Sequence, residues 1–146
     1  MPFHFSLAAV LTLRESIEQR ELLALERIHQ EIGQLRTKLQ QIRDARIAAI
    51  KNRETELSGG VPSVQLQGFY ELDRTLEAQE RGLESQLLEW EAKRERQLKV
   101  YQSAQQAREV LDEIRERQRE AYRRAQEKRQ QKAVDDLFLA RRKRAQ

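Results

Sequence analysis

The chain has no cysteine, only two prolines, five glycines and two histidines, and aromatic side chains at 5% of its 146 positions. Without cysteine there is neither a disulfide scaffold nor a thiolate metal site. So little proline and glycine argues against a low-complexity linker and against an all-β fold, whose turns need both. Apolar residues make up 38% and charged residues 36%, where an ordinary soluble domain has about 45–50% and about 25%. That is too little apolar material for a sizeable globular core, and long helices are what remain. The apolar run from Leu7 to Leu13 is broken by Thr12, whereas a spanning helix needs about 20 apolar residues. No membrane-crossing segment and no signal-peptide layout is expected.

Periodicity organises the rest. Leu25, Ile28, Ile32, Leu35, Leu39 and Ile42 follow one another at alternating intervals of three and four, with Arg46 and then Ala49 at the next seam positions. This is a heptad repeat, the pattern of a helix buried along one seam of a coiled coil. Upstream, Val10, Leu13 and Ile17 form a similar run, and the eleven residues from Ile17 to Ile28 exceed by one what an unbroken register allows. A stutter that changes the local winding is therefore expected there. Ser6 is the candidate N-cap, so helix one is placed at about 6–57. Ser58-Gly59-Gly60-Val61-Pro62-Ser63 is the one clustered turn signal, with Ser63 positioned to cap a second helix at about 64–142. In that helix Leu66, Phe69, Leu76, Leu83, Leu87, Trp90, Tyr101, Ala104 and Leu111 share one register, and Asp73, Glu80, Arg94, Gln97 and Arg108 fill its gaps. The expected fold is a single all-α domain, a long antiparallel two-helix coiled coil with a longer C-terminal helix.

Charge is unevenly placed. Residues 115–146 hold twelve Lys or Arg against five Asp or Glu, net +7, which leaves sixteen against nineteen, net −3, for residues 1–114. At about 1.5 Å per residue the two helices would be about 78 Å and about 118 Å long. Folding about the tip then leaves some C-terminal helix without a partner, and this overhang is the basic segment. Pairs such as Glu116 with Arg119, or Glu120 with Arg123 and Arg124, help to sustain it.

The chemical inventory is nearly empty. His4 and His29 form no ligand pair, the serines sit in no nucleophile motif, and the carboxylates alternate with arginine as solvated ion pairs do. No catalytic residue, metal site or cofactor is assigned, and the chain is not read as an enzyme. Trp90 falls in the seam and is read as core. Phe69 and Tyr70 are adjacent, so a narrow seam cannot take both; with Leu72 and Leu76 they make either a docking patch or a slack core opposite Ala48, Ala49 and Ile50. The basic tail fits a protein ring with acidic loops, a nucleic-acid backbone, or a merely solvated helix. It lacks a stacking platform, and its basic segment follows the heptads where a basic zipper has it first, so nucleic acid is the weaker reading. A general coiled-coil scaffold is the third.

Phe5-Ser6-Leu7, Val10-Leu11 and Leu13-Arg14 at the start resemble the flagellar export stalk proteins of the FliJ family. The resemblance continues through Gly68-Phe69-Tyr70-Glu71-Leu72 with Leu76, the Trp90 region, Glu120-Ala121-Tyr122-Arg123-Arg124 and Gln131-Lys132-Ala133-Val134-Asp135-Asp136. Gln130 and Asp136 depart from it, each standing where the family usually has Glu. The resemblance implies an antiparallel coiled coil similar to the central stalk of rotary ATPases. Its partners would be the export ATPase hexamer, the membrane export-gate protein and export chaperones, and its place the cytoplasmic side of the inner membrane at the flagellar base. Carried over by position, the ATPase-ring contacts would be Leu7, Leu11, Arg14, Arg119, Tyr122, Arg123, Gln131, Lys132 and Asp135. The export-gate contacts would be Phe69, Leu72 and Leu76. Neither the choice between a flagellar and a virulence system nor that between a closed hairpin and a swapped dimer is made by these residues.

Overall fold

The computed structural model describes residues 2–60 and 63–145. They form two helices, α1 (Ala8–Leu57) and α2 (Ser63–Ala145), and no strand is found among the described residues. The expected all-α hairpin is what is observed. Contacts divide the chain into unit 1, Met1–Arg20 with Gln102–Gln146, and unit 2, Glu21–Tyr101. Within each unit the two helices run antiparallel. In unit 2 Glu21 meets Gln97, Arg36 meets Glu91 and Arg46 meets Asp73.

The helix ends differ slightly from expectation. α1 starts at Ala8, and its leading bonds run from the Ala8 amide to the Phe5 carbonyl (3.2 Å) and from the Leu11 amide to the Leu7 carbonyl (2.9 Å). Ser6 lies in the turn ahead of the helix rather than at its cap. α2 begins one residue before the expected boundary and runs on to Ala145, where Arg142, Lys143 and Arg144 in its last turn suit the negative end of the helix dipole. At the tip, Gly59 and Gly60 donate to the carbonyls of Glu56 and Leu57, and Gly60 has φ of 80°, which a residue without Cβ takes without strain. The turn roles expected of Val61 and Pro62, and the side-chain cap expected of Ser63, lie outside the described residues.

Unit 2 realises the heptad. Leu25, Ile32, Leu35 and Leu39 are buried, and Ile28, Ile42, Arg46 and Ala49 are half-buried beside them. Leu76 is buried from the other helix, while Phe69, Leu83, Leu87 and Trp90 are half-buried. Leu66 departs from the expected seam and is exposed. Asp73 and Glu80 are tolerated at seam positions because arginines of α1 pair with them. Arg46 reaches Asp73 (3.2 Å) and Glu80 (2.9 Å), and Arg43 reaches Glu80 and Glu84, both at 3.2 Å. Hydrogen bonds from Arg43 first, and then Arg46, hold the Glu80 carboxyl below the usual carboxylate range. Gln97 similarly donates to the Glu21 carboxylate at 2.7 Å.

Unit 1 corrects the register of early α1. Leu11 is buried at 4% exposure, whereas Val10 and Leu13, both expected in the seam, are 40% and 58% exposed. Leu11, Glu18, Leu25, Ile32 and Leu39 recur every seventh residue and are buried or half-buried throughout. A seven-residue spacing thus links Leu11 to the unit 2 seam, with Glu18 where an apolar residue was sought and Ile17, expected in the seam, half-buried beside it. Glu18 is admitted because Arg108 neutralises it, with Nε donating at 2.5 Å, while the same guanidinium holds Asp112 at 2.7 Å. These hydrogen bonds, that to Glu18 first, push Arg108 further above its already high value. A charge can occupy a partly dry seam once its partner is in place.

Candidate partner-binding surfaces

In unit 1 the chain ahead of α1 forms a strap against α2. Phe5 is buried at 6% exposure and Phe3 is half-buried. The Phe3 ring lies 5.7 Å from the ring of Tyr122, tilted by 54°, a geometry favourable to aromatic pairs. The Arg119 guanidinium stands 5.8 Å from the same Phe3 ring, within cation–π range. Tyr122 accepts a hydrogen bond from Gln126 at 2.8 Å, which fixes its outer edge. Arg119 also pairs with Glu116 (3.2 Å) and Arg124 with Glu120 (3.4 Å), so two of the expected intrahelical pairs are formed. Past Gln126, every residue of 127–145 is exposed.

The residues carried over to this end are not equally available. Arg14, Arg119, Arg123, Gln131, Lys132 and Asp135 are exposed, Leu7 is exposed at 36%, and Tyr122 is half-buried. Leu11 is different: it belongs to the core and offers a partner no surface. The structure brings Arg119 and Tyr122 together through Phe3, and joins Gln131 to Asp135 by a 3.1 Å hydrogen bond. Sequence reasoning missed Phe3 as the organiser of this cluster. The signal was two aromatic residues within three positions, ahead of any helical period. It also passed over Leu137, Phe138 and Leu139, which stand 65%, 67% and 57% exposed in the most charged part of the chain.

Unit 2 carries the second surface. Phe69 is half-buried and, with Leu72, lines a small cleft against Ala49 and Ile50, while Tyr70 points outward at 61% exposure. One of the adjacent aromatics is thus exposed, as their spacing requires. Arg74 stacks 5.7 Å from the Tyr70 ring centre. Of the three residues carried over here, Leu72 is open to a partner at 46%, Phe69 is half-buried, and Leu76 is held in the core at 9%. Ile47 of α1 is also exposed, at 53%, and was not anticipated. Trp90 is half-buried in the seam with the Lys93 ammonium 4.2 Å from its ring centre, over the face of the indole.

Among the described residues no cluster of His, Cys, Asp or Glu could hold a metal ion, and no helix is long and apolar enough to cross a membrane. What both surfaces can do is bind: one offers arginines with aromatic support and a bare basic helix, the other an apolar patch on small neighbours. In comparisons with known proteins, residues 3–146 match the family described as flagellar FliJ protein. No curated protein matches, and no solved structure does.

Proposed function

Because the chain belongs to the flagellar FliJ family and so to the components of the flagellar export apparatus, we propose that it is a non-catalytic stalk coupling the hexameric export ATPase to the membrane export gate. The observation that carries this reading is the basic end of unit 1, where α2 continues past its last partner with every residue of 127–145 exposed. A helix held only by its own backbone is marginal in water, and surroundings supplied by a partner would stabilise it. Arg14, Arg119, Arg123 and Lys132 would meet acidic groups of the ATPase ring, with Phe3 and Tyr122 limiting the freedom of Arg119. Paired rim charges of this kind set orientation and association rate more than affinity.

At the other surface Leu72, with Phe69 and Tyr70 beside it, would dock on the export gate, where a few buried apolar anchors can dominate binding. Coupling would consist of the ring and the gate each favouring one state of the assembly, with the coiled coil between them carrying the bias. Export chaperones would be further partners, and the chain itself would hydrolyse nothing. It would work on the cytoplasmic side of the inner membrane at the flagellar base. The test is co-purification of the export ATPase with the full-length chain and with the double variant Arg119→Glu, Arg123→Glu. Loss of the ATPase with unchanged helicity is the expected result. Retention at moderate salt would remove those two charges from the contact.

A further inference from the structure

In unit 1 each helix carries two stripes at intervals of three and four, offset from one another by a single residue. On α1 one stripe is Leu11, Arg14 and Glu18, and the stripe beside it is Val10, Leu13 and Ile17. On α2 they are Arg108, Leu111 and Arg115, and Ala107, Val110 and Ile114. The seam is built on the charged stripe of each helix: Leu11 is buried, and Glu18, Arg108, Leu111 and Arg115 are half-buried. The apolar stripes are largely passed over, with Val10, Leu13 and Val110 at 40%, 58% and 55% exposure and Ile17, Ala107 and Ile114 half-buried at the flank. The charged seam is held by Arg108, which joins Glu18 to Asp112, and by Arg115 on the other oxygen of Asp112 at 3.1 Å. It is incompletely satisfied, because the Nε of Arg115 is buried without a hydrogen-bond partner, a cost that an apolar side chain does not incur.

We propose that unit 1 is a two-state element in which α1 and α2 each turn about their own axes by one residue position, about 100°, exchanging the charged seam for the apolar one. Because the helices run antiparallel, a one-residue step toward the N-terminus of each turns them in opposite senses, as meshed gears turn. The contact moves about 1.5 Å along each helix, so the two slide past one another by only about 3 Å. Leu13 and Ile17 then take the places of Arg14 and Glu18, while Ala107 and Val110 take those of Arg108 and Leu111. The eleven residues from Ile17 to Ile28 are the spacing of a stutter, which lets the apolar stripe of α1 run into the seam beyond it through a local change of winding. The first state is held by the Glu18 pair with Arg108, by buried Phe5 and by the contact of Phe3 with Tyr122. In the second, Tyr122 turns away with its stripe and Ala121 takes its place, which releases Phe3 and Arg119. The charge presented at this end therefore follows the state of the seam. Coupling along a rod needs an element with two discrete packings, and unit 1 carries the residues for both, whichever partner lies at either end.

The absence of cysteine makes the test direct. Single substitutions Val10→Cys, Leu13→Cys, Val110→Cys and Leu111→Cys are made in the full-length chain. Maleimide alkylation rates are then measured with Glu18 in place and with Glu18→Lys, which sets a like charge against Arg108. With Glu18 the first three positions should react faster than Leu111→Cys. With Glu18→Lys the order should invert: at about nine-tenths occupancy of the second state the first three slow about tenfold, while Leu111→Cys quickens and helicity is unchanged. An unchanged order would overturn the proposal, and so would fast reaction at all four positions, which means an end that opens rather than turns. Sodium sulfate supplies a second perturbation that leaves the seam residues as they are. It shortens the screening length to about 3 Å at about 1 M ionic strength and strengthens apolar burial. The ratio of the Val110→Cys rate to the Leu111→Cys rate should fall in sulfate. A constant ratio would overturn the proposal even where Glu18→Lys fails to fold.

Discussion

Phe5→Ala tests whether the strap is part of the folded end or only rests against it. Phe5 is 6% exposed, and burying such a side chain contributes about 1.5–3 kcal/mol. The pair of Phe3 with Tyr122 adds about 0.5–1.5 kcal/mol. Phe5 is thus the larger of the two contacts that hold the strap. Truncation should therefore release residues 2–7 locally rather than weaken the helices, because a terminal segment can detach before the helices it covers unfold. Hydrogen exchange gives the sharpest assay. The Ala8 amide, which donates to the Phe5 carbonyl at 3.2 Å, should lose its protection, and the nuclear Overhauser contact between Phe3 and Tyr122 should vanish. The Leu11 amide, bonded to the Leu7 carbonyl at 2.9 Å, should lose only part of its protection. The main thermal transition should move by less than about 2 °C. An intact Phe3–Tyr122 contact with a protected Ala8 amide would refute the reasoning, and so would a fall in Tm as large as a core truncation gives.

Ile32→Ala supplies that comparison: at 3% exposure in unit 2 its loss should cost about 2–4 kcal/mol and lower the midpoint in a denaturant titration, while Leu23→Ala, at 45% exposure, should cost less than about 0.5 kcal/mol. Equal effects would mean that the seam is not where burial places it. Glu80 predicts a pH dependence. Its carboxyl is held below the ordinary value by Arg43 and Arg46, so its contribution is present above the unfolded value of about 4.3 and is lost as pH falls through the lower folded value. The wild-type chain should lose stability more steeply below about pH 4.3 than Glu80→Gln does, and the variant should be the less stable at neutral pH. Parallel acid titrations of the two would remove Glu80 from the network.

The seam of unit 2 was legible because its residues repeat strictly. Leu25, Ile32, Leu35 and Leu39 recur with the period of a coiled coil and are buried, and no other secondary structure puts residues at those intervals on one side. Early α1 was misread for a physical reason. Val10 and Leu13 are apolar at the right spacing, yet the seam passes through Leu11 and Glu18, and a carboxylate in a seam cannot be foreseen until its partner Arg108, ninety residues away, is known. The same holds for Arg46 with Asp73 and Glu80: that these positions are charged is plain in the sequence, while their pairing is a property of the folded hairpin.

By itself, then, the sequence determined helix, period, tip and the uneven charge, because each follows from local geometry or from composition. The full apolar turn at Leu137–Ala140 also belongs to it, since consecutive residues encircle a helix wherever that helix lies. Only the tertiary structure decided which apolar residues face inward, that the Phe3–Phe5 strap covers Tyr122 and steadies Arg119, and that Leu11 and Leu76 support surfaces they do not form. Those outcomes depend on contacts between segments far apart in the chain, and no period within one segment encodes what the other segment brings to meet it.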